Sequence, residues 1–211
     1  AKYYKDADLP FVFAGVNWSA EEYGYPYKNV TGMIEVNAAG ELIELLSKMA
    51  KGKKVALLAG DVITEHKDVK YMHKIFKIKF DDRLVKTFDE WKKAFVEMQD
   101  KYDMLIVQNN AGITGWDNDE ATKFAAENTK IPTGTFYDWM TPYALVSYSK
   151  VAQEQGAYAA KTALKILDGT KPRDIPIVRN QQARLFVNAR ISVSSGIDVP
   201  TDIIGVAKII E

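Results

Sequence analysis

The chain has 211 residues, 28 basic and 28 acidic side chains and so no net charge, 47% hydrophobic residues and no cysteine. That balance leaves no basic field for nucleic acid, no charge block of the disordered kind, and no thiolate for disulfides, metals or nucleophilic catalysis. No apolar run approaches the ~18 residues of a membrane span.

After a polar lead-in over residues 1–8, Leu9–Val16 reads as a buried strand that ends in Asn17, Trp18 and Ser19. Residues 21–29 are rich in Tyr, Gly and Pro and read as a loop. Val30–Val36, with β-branched residues at 30, 31, 34 and 36, reads as an extended crossing between two lobes. Asn37 is placed to cap a helix whose apolar face is Leu42, Ile43, Leu45, Leu46 and Met49. Lys54–Ala59 follows as a strand ending in Gly60-Asp61, then a helical pattern from Thr64 to Ile75, then a more exposed strand over 76–86. A helix over 88–102 leads to the central run Met104–Val107, four apolar residues too few for a helix and suited to a strand buried on both faces. This run stops in three side-chain amides, Gln108, Asn109 and Asn110. Asn-Asn also makes turns, so a turn and a binding site stand at even weight on that stretch alone.

A helix to about Asn128 is followed by a strand over 131–136 that ends in Tyr137, Asp138 and Trp139, and Tyr143–Tyr148 is a last short strand of this series. Val151–Leu167 is the strongest helix. Ala152, Gly156, Ala159, Ala160, Ala163 and Leu167 form a small-residue face suited to lie on a sheet. Pro172 and Pro176 bracket a stiff connector, Leu185–Val187 is a strand, and the tail from Pro200 to Ile210 has the pattern of an amphipathic helix.

Alternating strands and helices predict an α/β fold with a doubly wound parallel sheet over 33–175, plus part of a second similar lobe from 1–32 and 176–211. Two strands cannot cover a core of their own, so an amino-terminal part of that second lobe is expected to be missing from this chain.

The polar strand ends fall on one edge of such a sheet, where ligands of open α/β folds bind. They define the candidate ligand-binding set: Asn17, Trp18, Asp61, Asn109, Asn110, Tyr137, Asp138 and Trp139. Amides, carboxylates and aromatic rings suit a small ligand with an apolar body and a polar head. The two histidines, His66 and His73, share a helical pattern without a metal-ligand motif and read as surface residues. Trp91 and Trp116 read as packing residues. Asn29-Val30-Thr31 matches a glycosylation acceptor, a three-residue pattern that we discount. No nucleophile elbow, phosphate loop or dinucleotide loop is present, so no enzymatic activity, cofactor or metal is expected.

Several segments in order carry a family resemblance: Pro10–Asn17, Asn29–Gly32, Glu41–Leu46, Ile131-Pro132, Ala144–Tyr148, Gly156 with Ala159-Ala160, Ile166–Pro172, Ile175-Pro176 and Leu185–Asn188. Across nearly the whole chain it resembles the ABC-transporter substrate-binding proteins of the group that includes tryptophan and tyrosine uptake proteins. The resemblance implies two α/β lobes, a hinge near 30–36 and 175–180, and a small organic ligand, such as an amino acid or related compound, clamped between the lobes. It further implies a membrane permease of an ABC transporter as partner and a periplasmic or extracellular location, with lipid anchoring as one form of it. A sensing module of a signalling receptor is the alternative, and an α/β enzyme using Asp61 or Asp138 as a base ranks last.

Overall fold

The computed structural model describes residues 2–76 and 79–211. Its elements in chain order are β1 (Phe11–Asn17), β2 (Val30–Glu35), α1 (Ala39–Ser47), β3 (Val55–Gly60), α2 (Ile63–Phe76), β4 (Asp81–Val85), α3 (Phe88–Lys101), β5 (Met104–Val107), α4 (Asn118–Asn128), β6 (Thr133–Thr135), β7 (Val146–Lys150), α5 (Ala152–Leu167), β8 (Val178–Arg179), β9 (Ala183–Asn188), α6 (Ala189–Ser195), α7 (Thr201–Ile204) and β10 (Lys208–Ile210). They form two compact units, residues 1–37 with 150–182 and residues 38–149 with 183–211.

The larger unit is built on a seven-stranded sheet of order β10-β9-β7-β6-β5-β3-β4. Its register is parallel from β4 through β7 and between β9 and β10. Every residue of β3 and β5 is buried, as their unbroken apolar runs require when helices cover both faces. Gly134 of β6 faces α1, since a Cβ there would meet the Leu42 and Leu46 side chains. Helix α3 starts with a reciprocal cap: Thr87 Oγ1 accepts from Glu90 N–H at 3.3 Å, and Glu90 Oε2 accepts from Thr87 N–H at 3.2 Å. Its inward side seats Trp91, fully buried, among Phe88, Phe95, Trp116 and Phe124.

The smaller unit has a three-stranded parallel sheet, β1-β2-β8, with α5 packed on β1 and β2. A bulge interrupts β1 between Phe13 and Val16, and Gly15 there takes φ +69°, a conformation in which a side chain is strained. The Gln155 amide of α5 fixes that bulge by accepting from Gly15 N–H at 3.1 Å. Asn180 closes the other edge, bonding both the N–H and the carbonyl of Val36. Asn29 is 5% exposed and its amide donates to the Tyr4 and Leu9 carbonyls, so the glycosylation pattern is occupied by a structural role.

Four expectations are corrected. Val30–Glu35 is not a crossing but the middle strand of the smaller sheet, and Val178 pairs with it at Met33. The chain passes between units at 37/38, 149/150 and 182/183 instead. Helix α5 belongs to the smaller unit rather than to a lobe over 33–175, and residues from 183 onward belong to the larger one. Strand β9 adjoins β7, where Asn188 N–H donates to the Leu145 carbonyl at 2.9 Å, and β10 adds beyond it. The tail is therefore a four-residue helix and a strand. Its β-branched Ile209-Ile210 extends β9's ladder, which outweighs the helical spacing. Finally, the small-residue stripe of α5 is largely exposed, with Leu167 at 82%, while Gln155 and Thr162 are the buried positions. The expected exposed strand over 76–86 is β4 at Asp81–Val85, and residues 77 and 78 lie outside the described residues.

Candidate functional site

The carboxyl ends of β3, β5 and β6 are neighbours, because these three strands are adjacent and parallel. With strands ~4.8 Å apart, the three ends span about 10 Å. The larger unit thus gathers Asp61, Gln108, Asn109, Asn110, Tyr137, Asp138 and Trp139 along one edge. The ends of β3 and β5 are tied directly, with Gly60 N–H donating to the Asn109 carbonyl at 3.0 Å. A Cβ at Gly60 would strike the Ala111 carbonyl, so this approach requires glycine.

Each side chain has a different standing on that edge. Asp61 is engaged: His66 Nε2 lies 2.7 Å from Oδ1, and Lys86 Nζ lies 3.5 Å from Oδ2. The carboxylate can only accept, so the imidazole N–H donates. Asn109 makes the turn, its Oδ1 accepting from Ala111 N–H at 3.0 Å. Asn110 is half-buried, and its amide makes no hydrogen bond among the described residues. Tyr137 donates to Asp68 Oδ2 at 3.3 Å and stacks on Trp139 at 4.5 Å between ring centroids. Asp138 is exposed and its carboxylate has no ion pair among the described residues. Trp139, next to Asp138 in the chain, is 54% exposed, and Ile63, the first residue of α2 beyond β3, is 87% exposed. Carboxylate, amide and exposed aromatic groups along one edge are the kinds of group that small-molecule sites use.

In the smaller unit, Asn17 closes β1 opposite Glu35, and Trp18 follows with φ +66°, its N–H donating to the Glu35 carbonyl at 2.8 Å. Trp18 is only 3% exposed. Lys150 Nζ meets Glu35 Oε1 at 2.6 Å on the same unit.

His66, Lys86 and Asp68 are the residues that sequence reasoning left out. The signal for His66 was available: a histidine five positions after a strand-end aspartate stands one helical turn inside the next helix and reaches back. The Asp61 carboxyl is held below its ordinary 3.8, first by the His66 hydrogen bond and then by Lys86. A carboxyl shifted this way contributes stability that is complete above its unfolded pKa and is lost as pH falls through the lower folded value. Replacing His66 by alanine is expected to return the Asp61 midpoint toward the ordinary range in a carbon-detected NMR titration. An unchanged midpoint would mean that the His66 bond does not form in solution.

Asp61 also borders a depression of about 490 Å³ lined by Arg83, Lys86, Glu90, Lys93 and Glu97. Arg83 and Glu97 pair there at 2.6 Å, and charged side chains outnumber the two apolar ones, Leu84 and Val85, as on a solvated surface. Among the described residues no cluster of three or more His, Cys, Asp or Glu is placed to hold a metal, and no helix is long and apolar enough to cross a membrane.

A family model described as ABC transporter substrate binding protein matches residues 3–210. Among solved structures, the ligand-free, open form of a substrate binding protein with adhesive properties from Clostridium difficile shares 19% identity at a TM-score of 0.74, covering 97% of this chain and 72% of that one. An ABC domain from Streptococcus pneumonia, solved in complex with L-Trp, shares 19% identity at 0.67, covering 96% and 74%. A conserved domain protein from Vibrio cholerae shares 17% at 0.56, covering 87% and 63%. No curated protein sequence matches the chain. At these identities the solved structures establish a common fold.

Proposed function

Because the chain belongs to the family of ABC transporter substrate binding proteins, we propose that it captures a small amino-acid-like solute outside the cytoplasm and hands it to an ABC permease. The observation that carries this reading is the edge of the larger sheet, which carries the Asp138 carboxylate, without an ion-pair partner among the described residues, the half-buried Asn110 amide and the exposed Trp139 ring. A carboxylate without a protein partner suits a ligand ammonium, and the exposed ring suits an apolar side chain. Asn109, Tyr137 and Asp61 complete the proposed contacts in this unit. Asn17 and Trp18 are the residues proposed from the smaller unit. The complex of the Streptococcus pneumonia domain with L-Trp supports an amino acid as the ligand class. The family is a substrate-binding class, and we read this member as a carrier rather than a catalyst.

Calorimetric titration of the purified protein with the common L-amino acids, beside mass spectrometry of any copurified molecule, tests the proposal. One amino acid or close relative is expected to bind with one site per chain. The absence of both binding heat with every amino acid tried and any copurified amino-acid-like mass would sink it.

A further inference from the structure

Gln108 is completely buried, and neither its amide N–H group nor its amide oxygen has a hydrogen-bond partner among the described residues. Desolvated amide groups without partners are costly, and native folds retain few of them. This one stands at the carboxyl end of the central strand, between Asp61 and Asp138 on the neighbouring strands.

Its position relative to α1 follows from register. Ile106 pairs with Gly134, whose missing Cβ points at Leu42 and Leu46 of α1, so Ile106 faces that helix. Met104 and Gln108 share the face by strand alternation. The last residue of α1, Ser47, touches Met104, with Oγ 3.5 Å from Sδ. From Ser47 back to Ala39 the helix rises about 12 Å, and from Met104 to Gln108 the strand advances about 13 Å. The first turn of α1 therefore lies over Gln108. The cap position is Ala38 rather than the expected Asn37 and supplies no side-chain cap, so the turn's N–H groups retain their attraction for negative charge, while the turn's own acid, Glu41, is exposed.

We propose that Gln108 and the first turn of α1 together read the zwitterionic head of an α-amino acid. The amide N–H group and the helix N–H groups take the carboxylate, and the amide oxygen accepts from the ammonium, whose charge Asp138 balances. Both unpaired ends of the amide are satisfied by one ligand. Gln108 has three side-chain torsions, so a rotamer change presents the amide at the edge without moving the strand. The inference rests on the amino-acid reading above and names the subsite for the head group.

The test pairs Gln108→Met, which keeps the volume and removes the amide, with the wild-type protein and whichever common L-amino acid binds it. Affinity is expected to fall at least tenfold, while the thermal midpoint of the ligand-free variant stays equal or rises. The des-amino analogue of the same amino acid should bind wild type more weakly and lose less on the substitution. The side-chain amide resonances of Gln108, assigned by their absence in the variant, should shift on ligand addition. Unchanged affinity in Gln108→Met, or a fall in ligand-free stability with affinity intact, overturns the inference and assigns the amide to internal packing or a buried water. In that outcome wild-type binding still supports the carrier reading. If no amino acid binds wild type, both readings fall.

Discussion

Replacing Trp91 by alanine is expected to lower the unfolding free energy of the larger unit by about 3–5 kcal/mol, the range for truncating a large buried aromatic. Trp91 has no solvent exposure, and its ring lies 5.0 Å from both Phe95 and Trp116 and 5.9 Å from Phe88. The Trp116 contact is edge-on at 78°, a favoured arrangement for aromatic quadrupoles. Alanine would leave a cavity between α3 and the loop that carries Trp116. Trp116 in turn anchors the start of α4 by donating from Nε1 to Asn118 Oδ1 at 3.0 Å. Trp91→Phe should cost much less, because it retains most of the contact and removes an indole N–H that has no partner among the described residues. Chemical denaturation of the three proteins decides the matter. Equal midpoints for wild type and Trp91→Ala would mean that the aromatic cluster contributes little to holding α3 on the sheet.

The second large effect is on binding. Asp138→Asn is expected to weaken the proposed ligand by about ten- to a hundred-fold, equivalent to roughly 1.5–3 kcal/mol for a hydrogen bond to a charged group. Two observations single out Asp138 over Asp61. Its side chain is exposed without an ion-pair partner among the described residues, whereas Asp61 already receives His66 at 2.7 Å and Lys86 at 3.5 Å. A ligand ammonium at Asp61 must compete with both, so Asp61→Asn should cost less affinity than Asp138→Asn. The fold should be indifferent to Asp138→Asn, because Thr141 Oγ1 bonds the Asp138 carbonyl rather than its carboxylate. Calorimetric titration of both variants checks the ranking. A loss confined to Asp61→Asn would move the cation-binding position from the end of β6 to the end of β3.

The sequence by itself determined the alternation of strands and helices and the location of the polar strand ends. Apolar runs such as Val55–Ala59 and Met104–Val107 are short, unbroken and bounded by polar groups, and burial on both faces is the physical state such runs require. Once β3, β5 and β6 are parallel neighbours, Asp61, Asn109 and Asp138 must share an edge. The family was legible for the same reason, through segments spread along the chain.

What only the tertiary structure decided is which strand pairs with which, and which polar group finds a partner. Nothing local distinguishes Ala183–Asn188 as a neighbour of β7 from a strand of the smaller sheet, because sheet pairing is a contact between distant segments. The tail carried helical spacing, yet the open ladder of β9 drew Lys208–Ile210 into the sheet. The exposed stripe of α5 reads as a packing face on composition alone, and only its placement on β1 and β2 turned Gln155 and Thr162 inward. Asp61 and Asp138 stand at the ends of like strands in the sequence. His66, five positions after Asp61, and Lys86, just beyond β4, separate them in the fold, since a carboxylate's availability depends on the donors and cations that folding brings near. Gln108, the first of three amides in the sequence, is distinguished by burial without a side-chain hydrogen-bond partner among the described residues, a property that exists only after the chain has folded.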